Sequence, residues 1–137
     1  MDIRYPVIIT PEPEGGFCVQ FVDLPEAFTE GETQEEALAN AVEVLTLTLE
    51  GRLDEGMDIP VASAVEGAHY VAPEVRTQGA LLLRAARGDK SLAEQARALN
   101  TSWPQIKRME DPQHWPNLKT LDRAARSVGK RLVLSIE

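Results

Sequence analysis

Apolar residues alternate with polar ones early in the chain and later recur at helical spacing, and this change of period predicts which stretches are strands and which are helices. Ile3 to Thr10, rich in Val, Ile and Tyr, reads as a strand. Pro6 has no backbone donor, so this run is placed at a sheet edge or at a strand's start. Pro11 to Gly16 forms a turn. Phe17, Val19 and Phe21 then alternate with Cys18, Gln20 and Val22, the period of a second strand pairing back on the first. A short third strand is expected around Ala27 to Glu30. Thr33-Gln34-Glu35-Glu36 is a capping box that opens a helix, and Gly56 ends it. Leu38, Ala41, Val42, Leu45 and Leu49 recur at spacings of three and four and are expected to face the sheet, with Glu35, Glu43 and Glu50 off that stripe. Breakers punctuate Gly56 to Pro73, and His69 to Ala72 predicts one more strand.

Beyond a boundary near Pro73 the pattern is helical. A helix carrying Ala80, Leu81, Leu82 and Leu83 stops near Gly88. Ser91-Leu92-Ala93-Glu94 is a second capping box, for a helix reaching about Ala98. Leu99-Asn100-Thr101 makes a tight turn, and the next helix runs from near Ser102 to Met109, with Pro104 tolerated in its first turn. Asn117 caps a last helix carrying Leu118, Leu121, Ala124, Ala125 and Val128, which Gly129 closes, and Leu132 to Ile136 predicts a final strand. The expectation is an α+β chain with domains at residues 1–75 and 76–137.

Charge sharpens the boundary. Residues 1–70 carry fifteen Asp or Glu against Arg4 and Arg52, a net of −13, whereas residues 71–137 carry seven against twelve Lys or Arg, a net of +5. A basic surface suits phosphate and an acidic one suits a basic protein, so two kinds of partner are implied. No apolar run approaches the roughly 20 residues that span a bilayer. Met1-Asp2-Ile3-Arg4 has no basic segment leading into a long apolar stretch, so no secretory signal and a cytoplasmic location are expected. Cys18 is the single cysteine, which excludes an internal disulfide or a Cys-based zinc site, and it is expected to be a small core residue.

A helix of about eight residues, a three-residue turn and a second short helix is the spacing of a helix-turn-helix, whose second helix enters the DNA major groove. Leu92, Ala96, Leu99, Ile106 and Met109 supply the packing positions, leaving Trp103, Lys107 and Arg108 outward. The run from Ser91-Leu92-Ala93 through Leu99-Asn100-Thr101-Ser102 to Ile106-Lys107-Arg108-Met109-Glu110 resembles the phage-repressor (Xre-like) family over about residues 78–137. That resemblance implies that Trp103, Pro104 and Arg108 reach base edges and that Ser102, Gln105 and Lys107 make phosphate or flanking contacts. Trp103 and Pro104 cannot make the bidentate contact that reads adenine, so specificity would rest on Arg108 to guanine, thymine methyls and shape. Asn100 stands where Gly is usual, a mild change because Asn tolerates the left-handed conformation. Trp103 as an internal packing residue, and Lys107 and Arg108 as solvated charges, remain the alternatives.

In the first half, Asp23-Leu24-Pro25, Thr29-Glu30-Gly31-Glu32-Thr33, Glu35-Glu36-Ala37, then Gly56 and Ile59-Pro60, resemble the HicB antitoxins of bacterial toxin–antitoxin pairs. Glu26-Ala27 departs from the family's usual Gly. The resemblance covers about residues 3–75 and implies a truncated ribonuclease-H-like domain, a small antiparallel sheet plus one long helix. An all-α helix-turn-helix domain with a short C-terminal strand would follow. It further implies binding and inhibition of a HicA-type mRNA-cleaving toxin. Asp23, Glu26, Glu30 and Glu32 are the toxin-binding candidates by placement on loops beside the sheet, where carboxylates can compete for groups that hold phosphate.

A ribonuclease-H-like enzyme needs several carboxylates gathered around two metal ions. The predicted strands supply none; Asp23 alone cannot hold such a site, and His69 and His114 are expected in a linker and a loop. No enzyme activity, metal or cofactor is expected. The reading that follows is an antitoxin that neutralises a toxin and represses its own operon, as a homodimer or higher oligomer on a palindromic operator. The alternative is a stand-alone transcription regulator whose first domain senses a ligand or dimerises.

Overall fold

The computed structural model describes residues 3–137; Met1 and Asp2, part of the N-terminal expectation above, lie outside the described residues. The chain is α+β. Its strands are β1 (Tyr5–Pro11), β2 (Phe17–Phe21), β3 (Phe28–Gly31) and β4 (His69–Val71), and its helices are α1 (Gln34–Asp54), α2 (Val75–Arg87), α3 (Leu92–Ala98), α4 (Trp103–Met109) and α5 (Leu118–Ser127). Two compact units divide between Thr77 and Gln78.

In the first unit the strands form one antiparallel sheet in the order β3-β2-β1-β4. β1 is therefore an interior strand, and Pro6 sits near its start, where the expected missing donor costs the ladder little. The register Val7↔Phe21 and Val19↔Thr29 puts alternate residues on a single face. Tyr5, Val7, Val19, Phe21 and Val71 are buried on that face beneath α1. The buried stripe of α1 is Ala37, Ala41, Leu45 and Leu49 at a spacing of four, with Leu38 and Val42 only half-buried at its margin. Its capping box forms at Thr33, whose hydroxyl accepts from Glu36 N at 3.1 Å.

Three expectations in this unit are corrected. Glu50, predicted off the stripe, is buried, because Thr77 Oγ1 donates to its Oε1 at 3.1 Å and Arg76 Nη2 lies 3.6 Å away. Nearby, Thr46 accepts from Glu74 N at 2.9 Å, so α1 is tied through polar groups to the start of α2. Cys18 is half-buried rather than a core residue, because its register partners Thr10 and Glu30 put it on the face opposite α1. His69 opens β4, opposite Val7, as the strand reading of His69 to Ala72 expects and not as a linker residue.

In the second unit Leu83, Ala86, Ala96, Leu99, Ile106 and Ala124 form the core, with Leu92, Met109, Leu121 and Val128 packed against it. Leu118, predicted in the packing stripe of α5, is exposed because it opens the first turn after the Asn117 cap and lies off the buried Ala124 face. The strand predicted at Leu132 to Ile136 is absent, and Val133, Leu134 and Ile136 are exposed. A strand is defined by its ladder partner, and among the described residues this unit has no other strand to pair with.

Gly31 joins β3 to the helix cap at close quarters. A Cβ there would lie 2.8 Å from Ala37 Cα and 2.9 Å from Glu36 C, backbone atoms that cannot swing away. Gly31→Ala should therefore destabilise the chain by about 2 kcal/mol or more, read from denaturant unfolding; an unchanged midpoint would show that the α1 entry is more pliable than its packing implies.

Candidate functional site

The helix pair of the second unit is built from local capping. Ser91 Oγ accepts from Glu94 N at 3.1 Å and starts α3, and Thr101 N returns to Ala96 O at 2.8 Å to close the turn. Asn100 makes that turn with a φ of 53°, the left-handed position the sequence assigned to it, and is the one positive-φ residue other than glycine among those described. From the flanks, Arg123 Nη2 donates to Leu99 O at 3.0 Å, and Arg87 pairs with Glu110 at 2.8 Å. Ile106 is the anchor of α4, 2% exposed.

Around that anchor the six candidate DNA contacts, Ser102, Trp103, Pro104, Gln105, Lys107 and Arg108, are all exposed. Trp103 is 54% exposed, which places its ring outside the core and removes it as an internal packing residue. Ser102 occupies the cap position of α4 without a side-chain cap bond. The same short helix thus carries two cations, an amide and an indole outward, groups able to meet phosphates and base edges. Elsewhere in the second unit, Arg87, Arg123 and Arg126 are engaged within it, the last with Asp122 at 3.1 Å.

The four acidic candidates of the first unit separate into two pairs. Asp23 accepts from Ser63 N at 2.9 Å and from Ser63 Oγ, so it fastens the segment that precedes β4. Glu26 receives Arg52 in a fork, Nε at 2.8 Å and Nη2 at 3.0 Å, while Arg52 Nη1 donates to Asp58 O at 3.0 Å. Glu30 and Glu32 are exposed, one on β3 and one just after it. Asp23 and Glu26 thus hold the fold, and Glu30 and Glu32 remain presented to solvent.

Sequence reasoning missed Gln20. Its Nε2 donates to Phe21 O at 3.0 Å and Ala27 O at 3.2 Å, clamping the Asp23-Leu24-Pro25 turn against β2, and Leu24 is fully buried beneath it. A glutamine in an alternating strand signals only an outward face; its bonds depend on the turn folding back. His69 Nε2 lies 3.4 Å from Gln34 Nε2, and His114 N donates to Asp111 O at 2.9 Å. Among the described residues no group of three or more His, Cys, Asp or Glu is placed to hold a metal. No helix among them is long and apolar enough to cross a membrane.

The Arg52 hydrogen bonds hold the Glu26 carboxyl below its ordinary value, with its backbone bond adding to the effect, and Glu26 in turn raises Arg52. A carboxylate with a depressed folded value stabilises the fold above its unfolded value, and that contribution is lost as pH falls through the folded value. Glu26 is 45% exposed, so screening limits the pair to about 0.5 kcal/mol. Glu26→Gln should lower the unfolding midpoint slightly at pH 7, and the difference from the parent should shrink as pH drops below the ordinary value of 4.5. A difference that grows on acidification would contradict the pairing.

Comparisons with known proteins bear on both units. A family model described as the HicB_like antitoxin of bacterial toxin-antitoxin system matches residues 4–73. Antitoxin HicB 1 of Photorhabdus laumondii is 34% identical over 138 residues, covering 99% of this chain and 88% of that protein. Antitoxin HicB of Escherichia coli K12 is 33% identical over 135 residues, covering 96% of this chain and 98% of that protein. UPF0150 protein Ta0767 of Thermoplasma acidophilum is 36% identical over 64 residues, 47% of this chain and 93% of its own length.

Proposed function

The chain belongs to the HicB-like antitoxin family, and from that premise we propose that it inhibits a HicA-type mRNA-cleaving toxin through its first unit and represses its own operon through its second. Near-complete alignment with the Antitoxin HicB relatives is the observation that carries the toxin reading, since it spans far more than one motif. The first unit is read as the truncated ribonuclease-H-like domain, acting by occlusion rather than by catalysis. Its acidic surface would compete for the cations with which an RNA-cleaving protein holds phosphate.

The operator-binding reading rests on α3 and α4, taken as a helix-turn-helix. In it α4 enters the major groove with Trp103, Pro104 and Arg108 at base edges and Ser102, Gln105 and Lys107 toward phosphates. Such modules engage half-sites roughly 34 Å apart, so the acting species is a homodimer or higher oligomer on a palindromic site in the bacterial cytoplasm.

Co-expression with the HicA-type protein encoded beside it tests the first part: the chain should relieve growth arrest and co-purify with that protein. Failure of both, with DNA binding retained, would leave a stand-alone regulator. For the second part, Arg108→Ala should weaken operator binding by about 1–3 kcal/mol in a gel-shift titration. Unchanged affinity would remove Arg108 from base readout.

A further inference from the structure

β1, β2 and β3 set one row of side chains across the face of the sheet opposite α1. The register Ile8↔Gln20 and Gln20↔Phe28 puts Ile8, Gln20 and Phe28 in that row, and directly opposite residues share a face. Thr10, Cys18 and Glu30 form the next row, and Pro6 with Tyr70 the row on the other side. Gln20 is turned to its clamp on the 21–27 turn, which leaves two apolar side chains flanking it in water: Ile8 is 50% exposed and Phe28 61%. Tyr70 is 40% exposed, but its hydroxyl accepts from Val65 N at 2.7 Å and its register partner Pro6 is fully buried, so the open strip ends at Ile8. At about 4.8 Å per strand and about 3.3 Å per residue, the open part of that face across β1, β2 and β3 is on the order of 200 Å², enough for the centre of a protein interface but not for all of one.

Charge identifies the occupant. Residues 1–77 carry sixteen Asp or Glu against three Arg. Arg52 pairs with Glu26 and Arg76 with Glu50. A second copy would bring the same excess of negative charge to the contact and be repelled, whereas a cationic protein would be drawn to it. An apolar centre with a charged margin is the arrangement in which aromatic anchors contribute most to binding.

We infer that the solvent face of the sheet is the surface on which a cationic toxin docks, with Ile8 and Phe28 as its apolar centre and Glu30 at its acidic margin. This rests on the toxin-binding function proposed above and names the surface that performs it. Asp23 and Glu26 act indirectly, through Ser63 and Arg52, by fixing segments beside it.

The test is capture of the HicA-type protein encoded beside this chain by the full-length chain and by Phe28→Ser, Ile8→Ala and Leu47→Ser. Leu47 is an exposed apolar residue of α1 and serves as the control. Phe28→Ser should weaken capture about thirtyfold and Ile8→Ala about fivefold, with Leu47→Ser unchanged and all unfolding midpoints close to the parent's. Backbone amides of β1, β2 and β3 should gain protection from hydrogen exchange on toxin binding, and 0.5 M salt should weaken capture by the parent chain. Parent-like capture by Phe28→Ser and Ile8→Ala would overturn the surface while leaving the antitoxin function standing. Loss of self-association in Phe28→Ser with capture unchanged would assign the face to a second copy and overturn it equally. No capture by the parent chain would overturn the function itself and the surface with it.

Discussion

One helix can cover only one face of a sheet, and the first unit is organised by that limit. α1 takes the face bearing Tyr5, Val7, Val19, Phe21 and Val71, and all five are buried. Fully burying a side chain of that size contributes about 1.5–3 kcal/mol each, which is where the stability of the unit resides. The other face is covered only at its Pro6–Tyr70 end, where the 63–65 segment holds the Tyr70 hydroxyl, so Ile8 and Phe28 stay in water. Isolated exposed apolar residues need no explanation, but neighbours in register on one small sheet do. An excess of carboxylates on each copy disfavours the pairing of two such faces through mutual repulsion.

Polar groups supply what the single apolar layer leaves unset. Gln20 shapes the 21–27 turn, Asp23 fastens Ser63, Glu26 and Arg52 brace the end of α1 against Asp58, and Glu50 accepts from Thr77. The interactions differ in weight. The Glu50–Thr77 contact is buried, so removing one partner leaves an unsatisfied group and costs about 1–3 kcal/mol. The Glu26–Arg52 pair lies near solvent and contributes less. Carboxylates that look alike in the sequence thus separate by partner: Asp23 and Glu26 are held by Ser63 and Arg52, whereas Glu30 and Glu32 are exposed.

Legibility in the sequence followed the range of the interactions. Thr33, Ser91 and Asn117 cap helices through bonds to residues three positions on, and each is readable as a local pattern. Strand alternation gave β2 and its faces for the same reason. What could not be read was anything decided across the fold. The Glu50 carboxylate looks solvated until Thr77, 27 residues away, is brought to it, and Asp23 looks available until Ser63, 40 residues away, arrives. Leu132 to Ile136 has the composition of a strand, yet composition cannot provide the neighbour that a strand requires. The family motifs were legible because they coincide with tight local geometry: Gly31 in the Thr29-to-Thr33 turn is the residue whose Cβ would strike the first turn of α1.

The two units solve opposite problems of exposure with the same economy of parts. In the second, four helices pack one small core, and Ile106, with Met109 packed against the same core, fixes α4 while Gln105, Lys107 and Arg108 stay in water. An anchored helix with outward Trp103, Lys107 and Arg108 is preorganised, so binding a nucleic acid need not pay to order the backbone that carries those groups. In the first, the backbone of β1, β2 and β3 is fixed by its ladders and by α1, so the row of Ile8 and Phe28 is equally preorganised. Charge then separates what rigidity alone would leave alike: the first unit carries an excess of carboxylates and the second an excess of Lys and Arg, so the two favour partners of opposite sign.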